Sequence, residues 1–208
     1  MKVLLINGSP NLNGCVNRAL KEMINVFENE GVETELIDLG NKDIQGCIAC
    51  GYCHTHGSCA FNDLVNEVAE KFKCADGLVV GSPVYYSSPN GTLISFLDRL
   101  FYSASFEKRM KVGAAVVSCR RGGNTATFDV LNKYFTISEM PIASSSYWNM
   151  VHGFTAEDVE KDLEGLQTMR NLANNMIFLM RGIKLAKEKY GLPLKEKRVS
   201  TSFPDGKN

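Results

Sequence analysis

Two Gly-Ser-Pro triplets, each set just after a short apolar run, constrain this chain more than any other feature. Gly8-Ser9-Pro10 follows the run Val3-Leu4-Leu5-Ile6, and Gly81-Ser82-Pro83 follows Gly77-Leu78-Val79-Val80. Such runs are too short for helices, and their continuous apolarity marks strands buried on both faces, as in a parallel sheet. Helical spacing resumes after each triplet, so each triplet reads as a loop at the carboxyl end of a strand. Ligands of open α/β sheets bind at that edge. Two similar loops on one edge predict one shared ligand site between them.

The rest of the chain alternates in the same way. Val16, Leu20, Met23, Ile24 and Phe27 have helical spacing that Gly31 stops, and Val32 to Leu39 reads as a second strand. A cysteine-rich segment, 47–59, is kept irregular by Gly46, Gly51 and Gly57. Asp63 to Phe72 predicts a helix, residues 77–80 a strand, and the stretch through Leu93, Phe96, Leu97 and Leu100 another helix. Gly113 to Ser118 predicts a fourth strand, ending in Cys119-Arg120-Arg121-Gly122-Gly123. Thr125 to Phe135 predicts a helix, and Pro141 to Ser144 a fifth strand. A long helix is expected from Thr155 to about Tyr190, broken near Gly165 or Gly182. The expected architecture is a doubly wound α/β domain over residues 1–192 with a polar tail, 193–208.

Composition removes several functions. The chain has 208 residues, with Lys+Arg 23 against Asp+Glu 23 and a net charge of +0, so no basic surplus points to nucleic acid or an anionic membrane. It starts directly on a strand and no apolar stretch reaches membrane-spanning length, which predicts a cytoplasmic protein. Seven cysteines, four of them clustered, suit metal or redox chemistry better than a disulfide framework.

The first loop, Gly8 to Gly14, is rich in Gly, Ser and Asn and leads into a helix. Backbone N–H groups and the positive helix end can hold a phosphate there. The segment lacks the Gly-Lys-Ser/Thr of a nucleotide triphosphate loop and the Gly-x-Gly-x-x-Gly of a dinucleotide site, so a single phosphate fits best. The plainer alternative is a well-formed strand-to-helix turn with no ligand.

Ile6-Asn7-Gly8-Ser9-Pro10, Asn13-Gly14 and Gly81-Ser82-Pro83-Val84-Tyr85 together resemble the NAD(P)H-dependent FMN reductase family of flavodoxin-like proteins, over roughly residues 1–135. The resemblance implies a five-stranded flavodoxin-like parallel sheet that binds FMN non-covalently. It assigns the phosphate to Ser9 and to the stretch Asn11, Asn13, Gly14, Cys15, Val16 and Asn17. It assigns the isoalloxazine to Pro83, Val84, Tyr85 and Tyr86, and the ring's far edge to Ser118, Arg120, Arg121, Gly122 and Gly123. Two departures stand out. Family members usually carry Arg or Lys at the place of Asn11, and Asn-Thr or Asn-Ser at the place of Cys15-Val16, so looser FMN binding is expected. Tyr85 and Tyr86 on their own would be ordinary loop aromatics; a flat ring needs such a slot. The Arg120 and Arg121 side chains suit flavin carbonyls or a dinucleotide phosphate, or form a solvated basic turn.

Cys47, Cys50, Cys53 and Cys59 form C-x2-C-x2-C-x5-C, a spacing that suits an iron–sulfur cubane. It is similar to the compact motif of the iron–sulfur flavoproteins, a branch of the same superfamily in which a [4Fe–4S] cluster passes electrons to FMN. Zinc held with His54 or His56, a disulfide or thiol relay, and a cluster-free loop are the rivals, and spacing does not separate them. Cys15 and Cys74 read as packing thiols, His152 has no assigned role, and Asp98-Arg99 reads as a helix ion pair. Tyr147-Trp148-Asn149-Met150 reads as core under the C-terminal helix, with capping of a neighbouring subunit's flavin as the alternative.

The function expected from these features is an FMN-dependent oxidoreductase with NAD(P)H as co-substrate. Its acceptor would be a small molecule such as a quinone, nitro or azo compound, free flavin or iron. FMN does the chemistry, so no catalytic side chain is assigned. The first alternative is an iron–sulfur flavoprotein fed by a ferredoxin-like partner; the second is a non-enzymatic flavodoxin-like binding module. A homodimer or homotetramer is expected from the resemblance.

Overall fold

In the computed structural model, which describes residues 1–197 and 199, the first apolar run is the strand β1 (Lys2–Asn7), followed by α1 (Cys15–Asn29) and β2 (Glu33–Asp38). The cysteine segment carries a short helix, α2 (Tyr52–His56), and α3 (Leu64–Cys74) follows it. Next come β3 (Gly77–Tyr85), a two-residue β4 (Ser88–Pro89), α4 (Gly91–Ser103), β5 (Val112–Cys119) and α5 (Asn124–Ile137). The chain continues through β6 (Met150–His152), α6 (Ala156–Val159) and α7 (Leu163–Tyr190).

Five strands lie parallel in the order β2-β1-β3-β5-β6, and β4 turns back antiparallel on the end of β3. This is the doubly wound flavodoxin-like order. From β1 the chain winds one way to β2, then crosses to β3 on the other side. The change of direction leaves a crevice between the carboxyl ends of β1 and β3.

The strands are apolar throughout because helices cover both faces. Val3, Leu5, Val79, Ala114 and Val116 pack with α1 and α7 on one face. Leu4, Ile6, Leu78, Val80, Ala115 and Val117 pack with α3, α4 and α5 on the other. Asp63 caps α3 by accepting from the Val65 amide, and Asn90 caps α4 by accepting from the Leu93 amide.

The structure corrects several sequence expectations. The third strand does not stop at residue 80. Ser82 pairs with Val117 and Pro83 with Ser118, so the second Gly-Ser-Pro is strand and the turn falls at Tyr86-Ser87. Proline is tolerated in this central strand because Gly81 O accepts from Gly8 N on the β1 side. Two residues on, Pro83 faces that same side, which β1 has already left, so its missing N–H costs no ladder bond.

The fifth strand is Met150–His152 and not Pro141 to Ser144, which forms a single parallel bridge between Gly113 and Ile142. The C-terminal helix runs unbroken through Gly165 and Gly182; the break falls before it, between α6 and α7. There Asp162 accepts from the Gly165 amide at 2.9 Å and restarts the helix as its cap.

Tyr147 and Trp148 are exposed rather than core, whereas Asn149 and Met150 are buried. Cys74 is exposed, so it is not a packing thiol, while Cys15 is buried. Arg99 pairs with Asp63 of α3 and not with Asp98, which accepts from the Tyr134 hydroxyl. The start of the tail lies on the surface near β5, where Pro193 O accepts from Arg109. The remainder, from residue 200 on and residue 198, lies outside the described residues.

Candidate functional site

Three segments converge at the carboxyl edge of the sheet. The first, residues 8–14, is ordered by its own side chains. Ser9 N donates to Asn7 Oδ1 at 3.1 Å, Asn11 N to Ser9 Oγ at 3.1 Å, and Asn13 N to Asn11 Oδ1 at 3.2 Å. Gly14 closes the loop by donating to Asn11 O, and α1 begins directly after it. Among the described residues no side chain caps α1, and its first turn holds no acidic residue. The first N–H groups of α1 therefore present an uncapped positive end, the arrangement that holds a phosphate. Ser9, Cys15, Val16 and Asn17 are buried around it, while Asn11 and Asn13 are exposed. Arg18, one residue further, is taken up by Glu22 and Glu160, so it supplies no free cation to the loop.

The second segment is the β3–β4 hairpin. Tyr86 and Ser87 both have positive φ, at 50° and 59°, the backbone of a tight two-residue hairpin turn. That turn lifts Tyr85 and Tyr86 into solvent, with Pro83 and Val84 half-buried below. Ser82 Oγ accepts from the Asn90 amide at 3.0 Å and so ties the hairpin to the start of α4.

The third segment follows β5. Ser118 is buried at the strand end, and Arg120, Arg121 and Gly122 are exposed. Gly123 has φ +87° and caps α5. A Cβ on Gly123 would lie 2.7 Å from Ser87 Oγ and 3.0 Å from Val84 Cγ1, so only glycine lets the third segment close against the hairpin. The start of α1, next to the first segment, also meets Ser118 of the third segment and the turn after β6. Cys15 Sγ donates to Thr155 O at 3.2 Å, and burial pushes its thiol up, with a bond from Ser118 partly opposing that shift. Cys15 is thus a neutral tie between loops rather than a nucleophile. The structure brings all three predicted segments to one crevice.

Sequence reasoning missed Phe154, an exposed ring just after β6 that lies under the Arg120 guanidinium at 5.8 Å. It also missed Asn7 and Asn90, whose buried amides set the first loop and the start of α4. The only signal for Asn7 was a polar residue at the end of an apolar run, and for Asn90 its place as a cap residue just before a helical pattern.

The cysteine segment leaves the same edge after β2; Gly40 at its start lies against Leu12 of the first loop. Left-handed Gly51 and Gly57, at φ 72° and 68°, bracket α2. Cys47, Cys50, Cys53 and Cys59 line one small cavity of about 20 Å³ with Arg99 and Ser103 of α4. Asn66 of α3 fixes the backbone at Cys59, accepting from its amide at 2.9 Å and donating to its carbonyl at 3.0 Å.

The rival metal readings fare differently. His54 Nε2 is bonded to the Tyr102 hydroxyl at 3.0 Å and His56 Nδ1 faces Tyr52 O at 3.0 Å. Among the described residues no three His, Cys, Asp or Glu side chains converge as a single metal ion needs. All seven cysteines are free thiols. Four thiols around one cavity, with a guanidinium and a hydroxyl in its wall, are a donor set that fits an iron–sulfur cluster, whose cysteines bind separate irons. The uncapped α1 end and the aromatic hairpin fit FMN.

Comparison with known proteins places the chain in a class. Residues 1–155 match the family described as NADPH-dependent FMN reductase, and the chain belongs to this family of flavodoxin-like, FMN-binding oxidoreductases. Among its relatives, an iron–sulfur flavoprotein of Methanocaldococcus jannaschii is 34% identical over 192 residues, covering 88% of this chain and 100% of the relative. An iron–sulfur flavoprotein of Methanosarcina thermophila is 28% identical over 193 residues, covering 91% of this chain and 100% of that protein. Among solved structures, RosB with bound 8-demethyl-8-formylriboflavin-5'-phosphate superposes with a TM-score of 0.70 at 14% identity, covering 98% of this chain and 93% of that one. No helix among the described residues is long and apolar enough to cross a membrane.

Proposed function

We propose that this chain is an FMN-dependent electron-transferring oxidoreductase whose cysteine loop holds a [4Fe–4S] cluster as a second redox centre. The observation that carries this reading is the cavity shared by Cys47, Cys50, Cys53 and Cys59, with the buried Arg99 donating to Cys59 Sγ at 3.2 Å. Two relatives matched along their whole length bear the name iron–sulfur flavoprotein. When bound, FMN supplies one- and two-electron chemistry and the cluster supplies one-electron chemistry. The chain's own part is to position both. The α1 end and the Ser9–Asn17 loop hold the phosphate, the hairpin and Gly123 shape the ring slot, and α3 and α4 fix the cysteine loop. Anaerobic purification with iron and sulfide assays tests it. About four of each per chain are expected, as for a [4Fe–4S] centre. An iron-free protein after anaerobic reconstitution overturns the cluster.

A second reading concerns the electron source. NAD(P)H as hydride donor, with a quinone, nitro or azo compound, free flavin or iron as acceptor, is supported by the family match. Arg121 is exposed at the edge of the site and makes no ion pair among the described residues, so a cation is available there for a dinucleotide phosphate. Anaerobic mixing of the flavin-loaded protein with NADH or NADPH should bleach the flavin absorbance if this source is right. Bleaching by a reduced ferredoxin alone would assign the donor to a protein partner.

A further inference from the structure

One helix, α4, supplies Arg99, Tyr102 and Ser103 to the wall of the cysteine cavity. Arg99 and Ser103 stand four residues apart, on one helix face, and both line the cavity. Arg99 is 1% exposed, and every edge of its guanidinium is used. Nη1 and Nη2 bind the two Asp63 oxygens at 2.7 and 2.8 Å, Nη1 also reaches Gln45 O at 3.2 Å, and the Phe61 ring lies 4.8 Å from Cζ. This holds Nε pointing at Cys59 Sγ, 3.2 Å away. An arginine kept only to pair with Asp63 has no need to turn its remaining N–H toward a sulfur. Lysine, with a compact ammonium, could not reproduce the fork and the Nε–H together.

Ser103 supplies the second, independent observation. It is 5% exposed, and its hydroxyl has no hydrogen-bond partner among the described residues. A buried hydroxyl left unpaired carries an uncompensated desolvation penalty, which alanine at the same place would avoid. A donor kept at that cost in a cavity of four thiols suits an acceptor that arrives with the occupant.

Resting on the cluster reading above, we infer that Arg99 and Ser103 are positioning residues that donate hydrogen bonds to the sulfurs of the cysteine-bound centre and raise its reduction potential. Hydrogen bonds to cluster sulfurs are one of the determinants of that potential. A donor stabilises the more negative, reduced state, so its loss disfavours reduction. Neither residue belongs to the FMN segments, so the effect should be confined to the cluster.

The test uses the full chain, anaerobically reconstituted, with Ser103→Ala, Arg99→Lys and Arg99→Gln. Iron content is measured first, then the potentials of cluster and FMN in the same sample. Ser103→Ala removes one oxygen, and should load iron as wild type does. Its cluster should be about tenfold harder to reduce, a downward shift of about 59 mV for one electron, with FMN unmoved. Arg99→Lys should shift in the same direction, and Arg99→Gln further, since it also loses the charge. Iron-loaded Ser103→Ala and Arg99→Lys proteins with the wild-type potential would overturn the inference and leave the cluster standing. A wild-type protein that takes up no iron overturns the cluster itself, and the inference with it.

Discussion

Asn7 Nδ2 donates to Asp38 Oδ1 at 2.8 Å while Asn7 Oδ1 accepts from the Ser9 amide at 3.1 Å. One fully buried side chain therefore links the outer strand β2 to the first turn of the loop after β1. Asn7→Ala leaves the Ser9 N–H without its acceptor, and should cost about 1–3 kcal/mol of stability. It should also weaken FMN, because the loop is held open by this bond. Denaturant unfolding and flavin titration check both. Full FMN affinity in a destabilised variant would show that the loop keeps its shape without Asn7.

Gly123 joins the second and third segments of the site. With φ +87° and the hairpin within 3.0 Å of its missing Cβ, alanine there is strained and also pushes against Val84 and Ser87. Gly123→Ala is expected to lower FMN affinity by about tenfold or more, as 1.4 kcal/mol of distortion would do. Gly182→Ala, in α7 outside the site segments, is the control, since among the described residues nothing lies within 4 Å of that position. Equal affinities in the two variants would remove Gly123 from the site's construction.

Much of the fold and of the candidate crevice was legible in the residues, and the physical reasons are specific. Val3 to Ile6 and Leu78 to Val80 are continuous apolar runs, and their shortness and flanking turn residues suit a strand covered on both faces. The short strand Met150–His152 was hidden because it pairs with just three residues at the end of β5, too few for a period. Pro83 concealed the extension of β3, since its tolerance depends on where β1 ends, which is a tertiary fact. The partner of Arg99 was misread for the same reason. Asp63 is distant in sequence and is brought near by the packing of α3 on α4, while the adjacent Asp98 faces Tyr134. Cysteine spacing showed the loop, but neither the guanidinium nor the hydroxyl in its wall carries a sequence signal.

Glu22 fastens α1 to α7. Its carboxylate accepts from Arg18 at 2.9 Å and from Arg170 at 2.5 Å. Burial alone would raise this carboxyl, but the bonds from Arg170 and Arg18 outweigh it and hold the group below the ordinary carboxylate value. A lowered folded-state value means the stabilisation is present above the unfolded value, about 4.3, and is lost as pH falls through the folded one. Glu22→Gln should therefore cost about 1–2 kcal/mol near neutral pH, less than a buried pair because Arg170 is half-exposed. The gap from wild type should close as the medium is acidified below about pH 4. Thermal melts across that range check it, and a gap independent of pH would show that charge plays no part.

Asn11 stands where the family resemblance leads one to expect a cation, and it is exposed in the loop that leads into the uncapped α1 end. Its Oδ1 accepts from Asn13 N at 3.2 Å, a bond that water can replace in an exposed loop. A guanidinium at this position would lose that modest bond and gain a charge-assisted one to the phosphate, worth about 1.5–3 kcal/mol. Asn11→Arg is accordingly expected to tighten FMN by about 1 kcal/mol, roughly fivefold, with riboflavin affinity unchanged. The gain should shrink as salt is added, because an exposed charge is screened within about 10 Å at ordinary ionic strength. Flavin fluorescence titrations at low and high salt measure it. An unchanged or weaker affinity for FMN would mean that residue 11 does not face the phosphate, and that the loop binds through its backbone alone.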